Sequence, residues 1–294
     1  MGNGPAPRDE VLQDFLTWLN QNNPGGDQWY LDEGPVPVEA APAEPATADP
    51  VSVPVEAPPA VATPRPGPAA DPDPAFAAEC RTFVTETLDL IHRQPAAPFS
   101  APATDPVATL SVLREKVLPC TACDLAEGRN STVFGAGHPA ADLMFIGEAP
   151  GRDEDLQGEP FVGASGQLLT KILGAIGFAR EDVFIANILK CRPPNNRDPL
   201  PVEVAACEGW LNQQLEIIRP RVICCLGRVA AQTLLKTDAS LGSLRKSVNF
   251  YAGVPVMATY HPAALLRNPN WKRDTWNDVQ KLRALYDALL AEGE

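Results

Sequence analysis

Four cysteines carry the clearest chemical signal in this chain of 294 residues. Cys120 and Cys123 form a C-x2-C pair, and Cys191 and Cys207 follow at longer spacing. A lone pair of this kind is shared by redox motifs and zinc sites. Four thiolates together can supply the tetrahedral set that zinc or an iron–sulfur cluster needs. Cys120 follows a proline and precedes polar residues, and Cys191 stands between Lys190 and Arg192, neither of them a typical core setting. Cys224 and Cys225, inside an apolar run, read as ordinary core thiols, and Cys80 fits neither role. Beyond the thiols, the turn Gly147-Glu148-Ala149-Pro150-Gly151 fixes its backbone and presents one carboxylate, which is either a reactive group or a solvent-facing turn residue. Phe161, in Pro160-Phe161-Val162-Gly163, is either core packing or a stacking platform for a base. Asn187 offers a donor and an acceptor on one amide, the pair required to read the edge of a pyrimidine. One loop, from Tyr260 to Pro269, carries His261, Leu265, Leu266 and Arg267.

The elements that must position these groups alternate. Apolar runs at 142–147, 182–189, 221–226 and 254–260 read as buried strands. Helical stripes run through 165–177, through 201–219 with Pro201 in the first turn, through 227–235, and through 271–291. Strands alternating with helices give a parallel sheet covered on both faces, with ligands bound at the carboxyl ends of the strands. Glu148, Asn187 and His261 all fall at such ends, on loops distant in sequence.

The net charge of −13 is unevenly placed. Residues 1–104 hold 4 Lys+Arg against 15 Asp+Glu, a net of −11, and 19 of the 32 prolines. Such a segment buries too little apolar surface to offset its ordering entropy, so it is expected to be a mostly disordered tail, with 105–294 as the folded domain. Short helices are expected in the tail near 11–19 and 75–93, as docking or transient helices. The folded part, with a net of −2, is close to neutral and can hold a basic face for nucleic acid. No apolar run approaches a membrane span, and seven cysteines without a secretion signal point to a reducing, cytoplasmic setting.

Taken together, these motifs resemble the iron–sulfur uracil-DNA glycosylases of the family-4 type. The resemblance covers roughly 113–290. It rests on the Gly147–Gly151 turn, on Pro160–Gly163, on Asn187-Ile188-Leu189-Lys190-Cys191-Arg192-Pro193-Pro194, on His261–Arg267 and on the four cysteines. It implies a three-layer α/β/α sandwich around a four-stranded parallel sheet. It also implies a [4Fe–4S] cluster on Cys120, Cys123, Cys191 and Cys207, settling a choice that spacing leaves open. Glu148 would orient or activate water, and His261 would donate to uracil O2. Gly147, Phe161, Asn187 and Asn196 would line the base site. Arg192, Arg197, Leu265, Leu266 and Arg267 would meet the DNA, leucine as a wedge and arginine on phosphate. The absence of a basic insertion after Pro194 implies turnover rather than a covalent trap. The substrate would be uracil-containing DNA, single- or double-stranded, acted on by a monomer near the nucleoid whose tail docks a repair or replication protein. Excision of another deaminated base such as hypoxanthine, or a non-catalytic cluster-bearing DNA-binding role, are the alternatives.

Overall fold

A computed structural model of the chain describes residues 74–94 and 104–292. In chain order the elements are α1 (Pro74–His92), α2 (Pro106–Val117), α3 (Leu125–Gly128), β1 (Ala136–Gly137), β2 (Leu143–Gly147), α4 (Arg152–Gln157), α5 (Ala164–Ala175) and β3 (Phe184–Asn187). They continue with α6 (Pro201–Ile218), β4 (Val222–Leu226), α7 (Arg228–Leu235), α8 (Leu241–Leu244), β5 (Asn249–Tyr251), β6 (Val254–Thr259), α9 (Pro262–Arg267) and α10 (Lys272–Glu292).

The sheet runs β1-β3-β2-β4-β6-β5. Its four inner strands are parallel, in the register Gly147↔Asn187 between β2 and β3, Ile146↔Cys225 between β2 and β4, and Leu226↔Thr259 between β4 and β6. These are the four strands expected from the apolar runs. The sheet has six strands rather than four, because two short ribbons, β1 and β5, pair antiparallel on its edges. Neither carries an apolar run: β1 is Ala-Gly, and β5 is only half-buried.

Period-two alternation sorts the sheet's side chains onto two faces. Met144, Ile146, Phe184, Ala186, Ile223, Cys225 and Val256 join a core with Leu113 and Val117 of α2, Leu211 and Leu215 of α6, and Ala230 and Ala231 of α7. Leu143, Phe145, Ile185, Cys224 and Met257 join the opposite core with Leu169 and Leu173 of α5 and Val279, Leu282 and Leu285 of α10. The result is the expected three-layer α/β/α sandwich.

Packing continues across residue 105. Helix α1 lies against α10, with Phe76 and Cys80 buried on it, Phe83 and Leu88 packed on the second core, and Glu79 paired with Lys281 at 2.6 Å. The candidate helix near 11–19 lies outside the described residues. The polypeptide leaves β2 toward β3 on one side and later returns to β4 on the other, so the carboxyl ends of these strands open a crevice.

Candidate active site and thiol cavity

The connections leaving β2 and β3 are zipped together beyond the sheet: the carbonyls of Gly147 and Glu148 accept from the amides of Ile188 and Leu189 at 2.9 and 3.0 Å. Gly147 makes this approach possible. A Cβ there would collide with the Asn187 Oδ1 and come within 2.7 Å of the Phe161 ring, so only glycine lets the main chain, the amide and the ring share the space. Asn187 is 2% exposed, and its Oδ1 is buried without a hydrogen-bond partner. Leaving such an atom unpaired costs about 1–3 kcal/mol, so an N–H brought to it would be bound favourably. Its own carbonyl is held by the fully buried Lys190, whose Nζ donates to Asn187 O at 2.9 Å and to Gln214 Oε1 at 2.6 Å. Burial lowers the Lys190 pKa to about 8.

Phe161 adopts a left-handed backbone, φ 54°, which a residue other than glycine keeps only when its surroundings enforce it. Here they do. Arg180 donates to Pro160 O at 2.7 Å and to Phe161 O at 3.1 Å, while Glu154 Oε1 accepts from the amides of Val162 and Gly163 at 2.9 and 3.0 Å. The buried ring faces His261, centroids 5.5 Å apart and planes tilted by 33°. Neither Arg180 nor Glu154 was singled out by the sequence. Glu154 lies within an acidic run and Arg180 has no motif around it, so only the fold reveals their clamp.

His261 begins α9 as its N-cap. Nδ1 accepts from the Ala263 amide at 3.1 Å, which assigns the proton of the neutral ring to Nε2. Burial, with help from Arg267, pushes its pKa down to about 4, so at neutral pH the ring is an uncharged donor through Nε2. Gly227, φ 93°, ends β4 close against it: a Cβ there would lie 3.0 Å from that of His261. Glu148 has the opposite bias. Burial first and then Asp198 raise its pKa to about 7, against the lowering effects of Arg228 and Arg267. Asp198 is itself paired with Arg228 at 2.9 Å.

The remaining site residues divide. Arg267 is exposed and close enough to influence both Glu148 and His261. Leu265 is fully buried in the second core, which corrects its expected role at the DNA: it anchors α9 and cannot wedge into a base stack. Leu266 is half-buried and packs at the edge of the same core. Arg192 Nε donates to Asn196 Oδ1 at 2.8 Å on the exposed turn Pro194–Asn196. Arg197 grips Glu203 with two nitrogens, at 2.9 and 2.6 Å, while Glu203 also accepts from the Leu200 amide at the start of α6. Arg197 thus braces the loop.

Cys120, Cys123, Cys191 and Cys207 line one small cavity with Arg129, Lys190 and Trp210. Cys191 and Cys207 are buried, despite the polar neighbours of Cys191 in sequence. Three N–H groups point at the sulfurs: Arg129 Nη1 at Cys191 (3.2 Å), Trp210 Nε1 at Cys120 (3.3 Å) and the Lys190 amide at Cys207 (3.3 Å). Burial raises the thiol pKa of Cys191 and pushes that of Cys207 up to about 11. Among the described residues, no three His, Cys, Asp or Glu side chains are arranged to hold a metal ion. None of the seven cysteines is joined in a disulfide.

At the strand tips a neutral imidazole can donate, a carboxylate can take up a proton, and an aromatic ring lies beside an unpaired amide oxygen; these are the means by which an α/β hydrolase could act on a nucleobase. The family model of the uracil DNA glycosylase superfamily matches residues 134–280. The chain is 48% identical over 182 residues to the type-4 uracil-DNA glycosylase of Archaeoglobus fulgidus, covering 59% of this chain and 91% of that protein. It is 44% identical over 183 residues to the type-4 enzyme of Saccharolobus solfataricus, covering 59% and 85%. With the Thermotoga maritima type-4 enzyme it shares 41% over 179 residues, covering 60% and 93%. The chain belongs to the type-4 uracil-DNA glycosylases.

Proposed function

We propose that this protein removes uracil from DNA by hydrolysing the N-glycosidic bond, with the groups at the strand tips in the following roles. A base within a duplex is inaccessible, so the nucleotide is rotated out into the pocket. Phe161 stacks on the uracil ring. The unpaired Asn187 Oδ1 accepts from uracil N3–H while the Asn187 amide donates to O4, and cytosine, with the reversed polarity at those positions, leaves both unpaired. As the bond to C1′ breaks, its electron pair goes to the base and negative charge gathers on O2. There the neutral His261 donates from Nε2, a stabilisation of the kind worth about 2.7–4 kcal/mol. Glu148, as carboxylate, orients the water that attacks C1′, takes up its proton and offsets the positive charge on the sugar. Water adds to C1′, uracil departs, and an abasic site remains. Leu266 fills the space vacated in the base stack, and Arg192 and Arg267 meet phosphate. The observation that carries this reading is the buried, unpartnered Asn187 Oδ1 packed beside Gly147 and the Phe161 ring.

A [4Fe–4S] cluster is proposed on Cys120, Cys123, Cys191 and Cys207. Four thiols on one cavity, three of them facing N–H donors, supply the ligand chemistry such a cluster needs, and binding it would draw the sulfurs closer than they stand here. Bound there it would tie the connection after β3 and the helix α6 to the segment before α3. Residues 105–294 form the catalytic domain in this reading, with α1 as a brace. The enzyme acts as a cytoplasmic monomer, without a covalent trap, and the acidic tail docks a repair or replication partner. Among the described residues no helix is long and apolar enough to cross a membrane.

The test is direct. Purified protein is incubated with single- and double-stranded oligonucleotides carrying uracil or hypoxanthine, and abasic sites are scored. Abasic sites at uracil are expected. Their absence, or their formation at hypoxanthine alone, overturns the proposal.

A further inference from the structure

Three side chains from separate parts of the chain form a layered stack beside His261. The rings of Tyr260 and Trp271 lie parallel, with centroids 4.7 Å apart and planes 2° from coincidence. The Arg245 guanidinium sits over the Tyr260 ring at 4.2 Å. Arg245 is held in turn by Asp278, at 2.7 Å, and by Asp274, at 3.5 Å, and Asp278 also accepts from the hydroxyl of Thr259, at 2.7 Å, where β6 ends. The position of Tyr260 is therefore determined from several sides, and with it that of the indole stacked upon it.

The outer member of the stack is not buried. Trp271 is 37% exposed, the only aromatic side chain among the large hydrophobic residues that stand out on the described surface. Burying an indole is worth much to a fold, so one held rigidly at the surface is a surface put to use. Its location indicates the use. Tyr260 immediately precedes His261 at the carboxyl edge of the sheet. After α9 and the short turn Pro269–Trp271, the helix α10 starts from this edge and packs along β6. Trp271 thus stands on the same rim as His261 and Arg267. Around it the exposed side chains are Arg267, Asn270, Arg273 and Asp274, and Asp274 faces Arg245. A rigid aromatic face interleaved with arginines is the arrangement that binds unpaired nucleobases along a strand: stacking accepts any base, and the cations follow the phosphates.

We propose that Trp271 is a stacking site for a nucleobase next to the excised uracil, unpaired in single-stranded DNA or unstacked when the uracil is rotated out. This rests on the uracil-excision reading, and assigns to the strand beside the pocket a second base contact distinct from the leucine wedge. Because the indole is preorganised by Tyr260 and Arg245, little ordering cost is paid on binding.

The test uses the full chain and single-stranded oligonucleotides in which 2-aminopurine, a fluorescent base, replaces the nucleotide on either side of a uracil made uncleavable by 2′-fluorination. Wild type should quench the probe on one of the two sides. Trp271→Leu keeps an apolar cover on Tyr260 but offers no π face. It should lose that quenching, bind the oligonucleotide about tenfold more weakly, and show the loss in KM more than in kcat on cleavable substrate. Trp271→Phe, which retains a ring, should recover most of both. Circular dichroism and melting temperature establish that each variant is folded, and should Trp271→Leu fail to fold, the Phe variant and the wild-type quenching decide. Wild-type-like affinity and quenching in folded Trp271→Leu, or no quenching on either side by wild type, overturns the proposal. The uracil-excision reading fails separately, if wild type makes no abasic sites at all.

Discussion

Glu148 gives the most discriminating test of the chemistry, because its environment separates it from an ordinary surface carboxylate. Burial and Asp198 raise its pKa from 4.5 to about 7, with Arg228 and Arg267 opposing. If the carboxylate is the working form, single-turnover excision follows its ionised fraction, about a tenth at pH 6 and about nine-tenths at pH 8. The rate should therefore rise roughly tenfold across that interval. An unshifted glutamate would leave it flat. His261, with a pKa of about 4, adds no limb in this range. Glu148→Gln should remove the acid limb together with most of the activity. The same shift predicts a stability effect independent of catalysis. Between pH 4.5 and about 7 the unfolded chain ionises this group while the folded chain keeps it protonated. The stability it contributes is full below 4.5, falls as pH rises through about 7, and is flat above. Allowing for solvent screening of a half-buried carboxylate, the loss is about 1–2 kcal/mol. At about 2–4 °C per kcal/mol for a domain of this size, Glu148→Gln should melt several degrees above wild type at pH 8, with the gap closing toward pH 5. A wild-type rate that is flat from pH 6 to 8, or an acid limb that survives in Glu148→Gln, would refute the reasoning.

Three other outcomes are expected. Asn187→Asp should weaken uracil excision and allow some cytosine excision, since a protonated carboxyl can serve both polarities; unchanged uracil rates on matched oligonucleotides would place the base elsewhere. The protein should purify with broad visible absorption and about four irons per chain, both lost together with solubility in Cys191→Ser but retained in Cys224→Ser, whose thiol is a core group; zinc at one per chain after anaerobic purification would exclude the cluster. Deleting residues 1–73 should leave the melting temperature unchanged, whereas deleting 1–104 also removes the buried Phe76 and Cys80 of α1 and should lower it by several degrees; equal melting of the two truncations would show that α1 adds nothing.

The sequence was legible where a repeating physical constraint writes it. A strand buried on both faces leaves an apolar run, and such runs located all four parallel strands; the edge strands carry no such run and went unread. Glu148 and His261 were legible because they follow those runs directly, and Asn187 because its polar side chain interrupts one near its end. Contacts that join distant segments through main-chain carbonyls and amides leave no trace in residue types, and so the Arg180 and Glu154 grip on the Phe161 loop could not be read. Leu265 and Leu266 show the same limit. Two adjacent leucines look alike in sequence, and only the rotation of a six-residue helix decides that one is fully buried and the other only half-buried at the edge of the same core.

The connection from Asn187 to Cys191 has a consequence for how such a protein can change. Within five consecutive residues it holds the side-chain amide proposed to read the base, the buried Lys190 that fixes the main-chain carbonyl of Asn187 and reaches Gln214 of α6, and a thiol of the cavity. No slack separates them. An insertion here, or a substitution that turns the backbone, displaces pocket and cavity at once, so neither can be retuned alone from this segment. Altered base preference is more accessible to variation from the Phe161 side, where loop and cavity share no backbone, and a laboratory search for new specificity would do best to begin there.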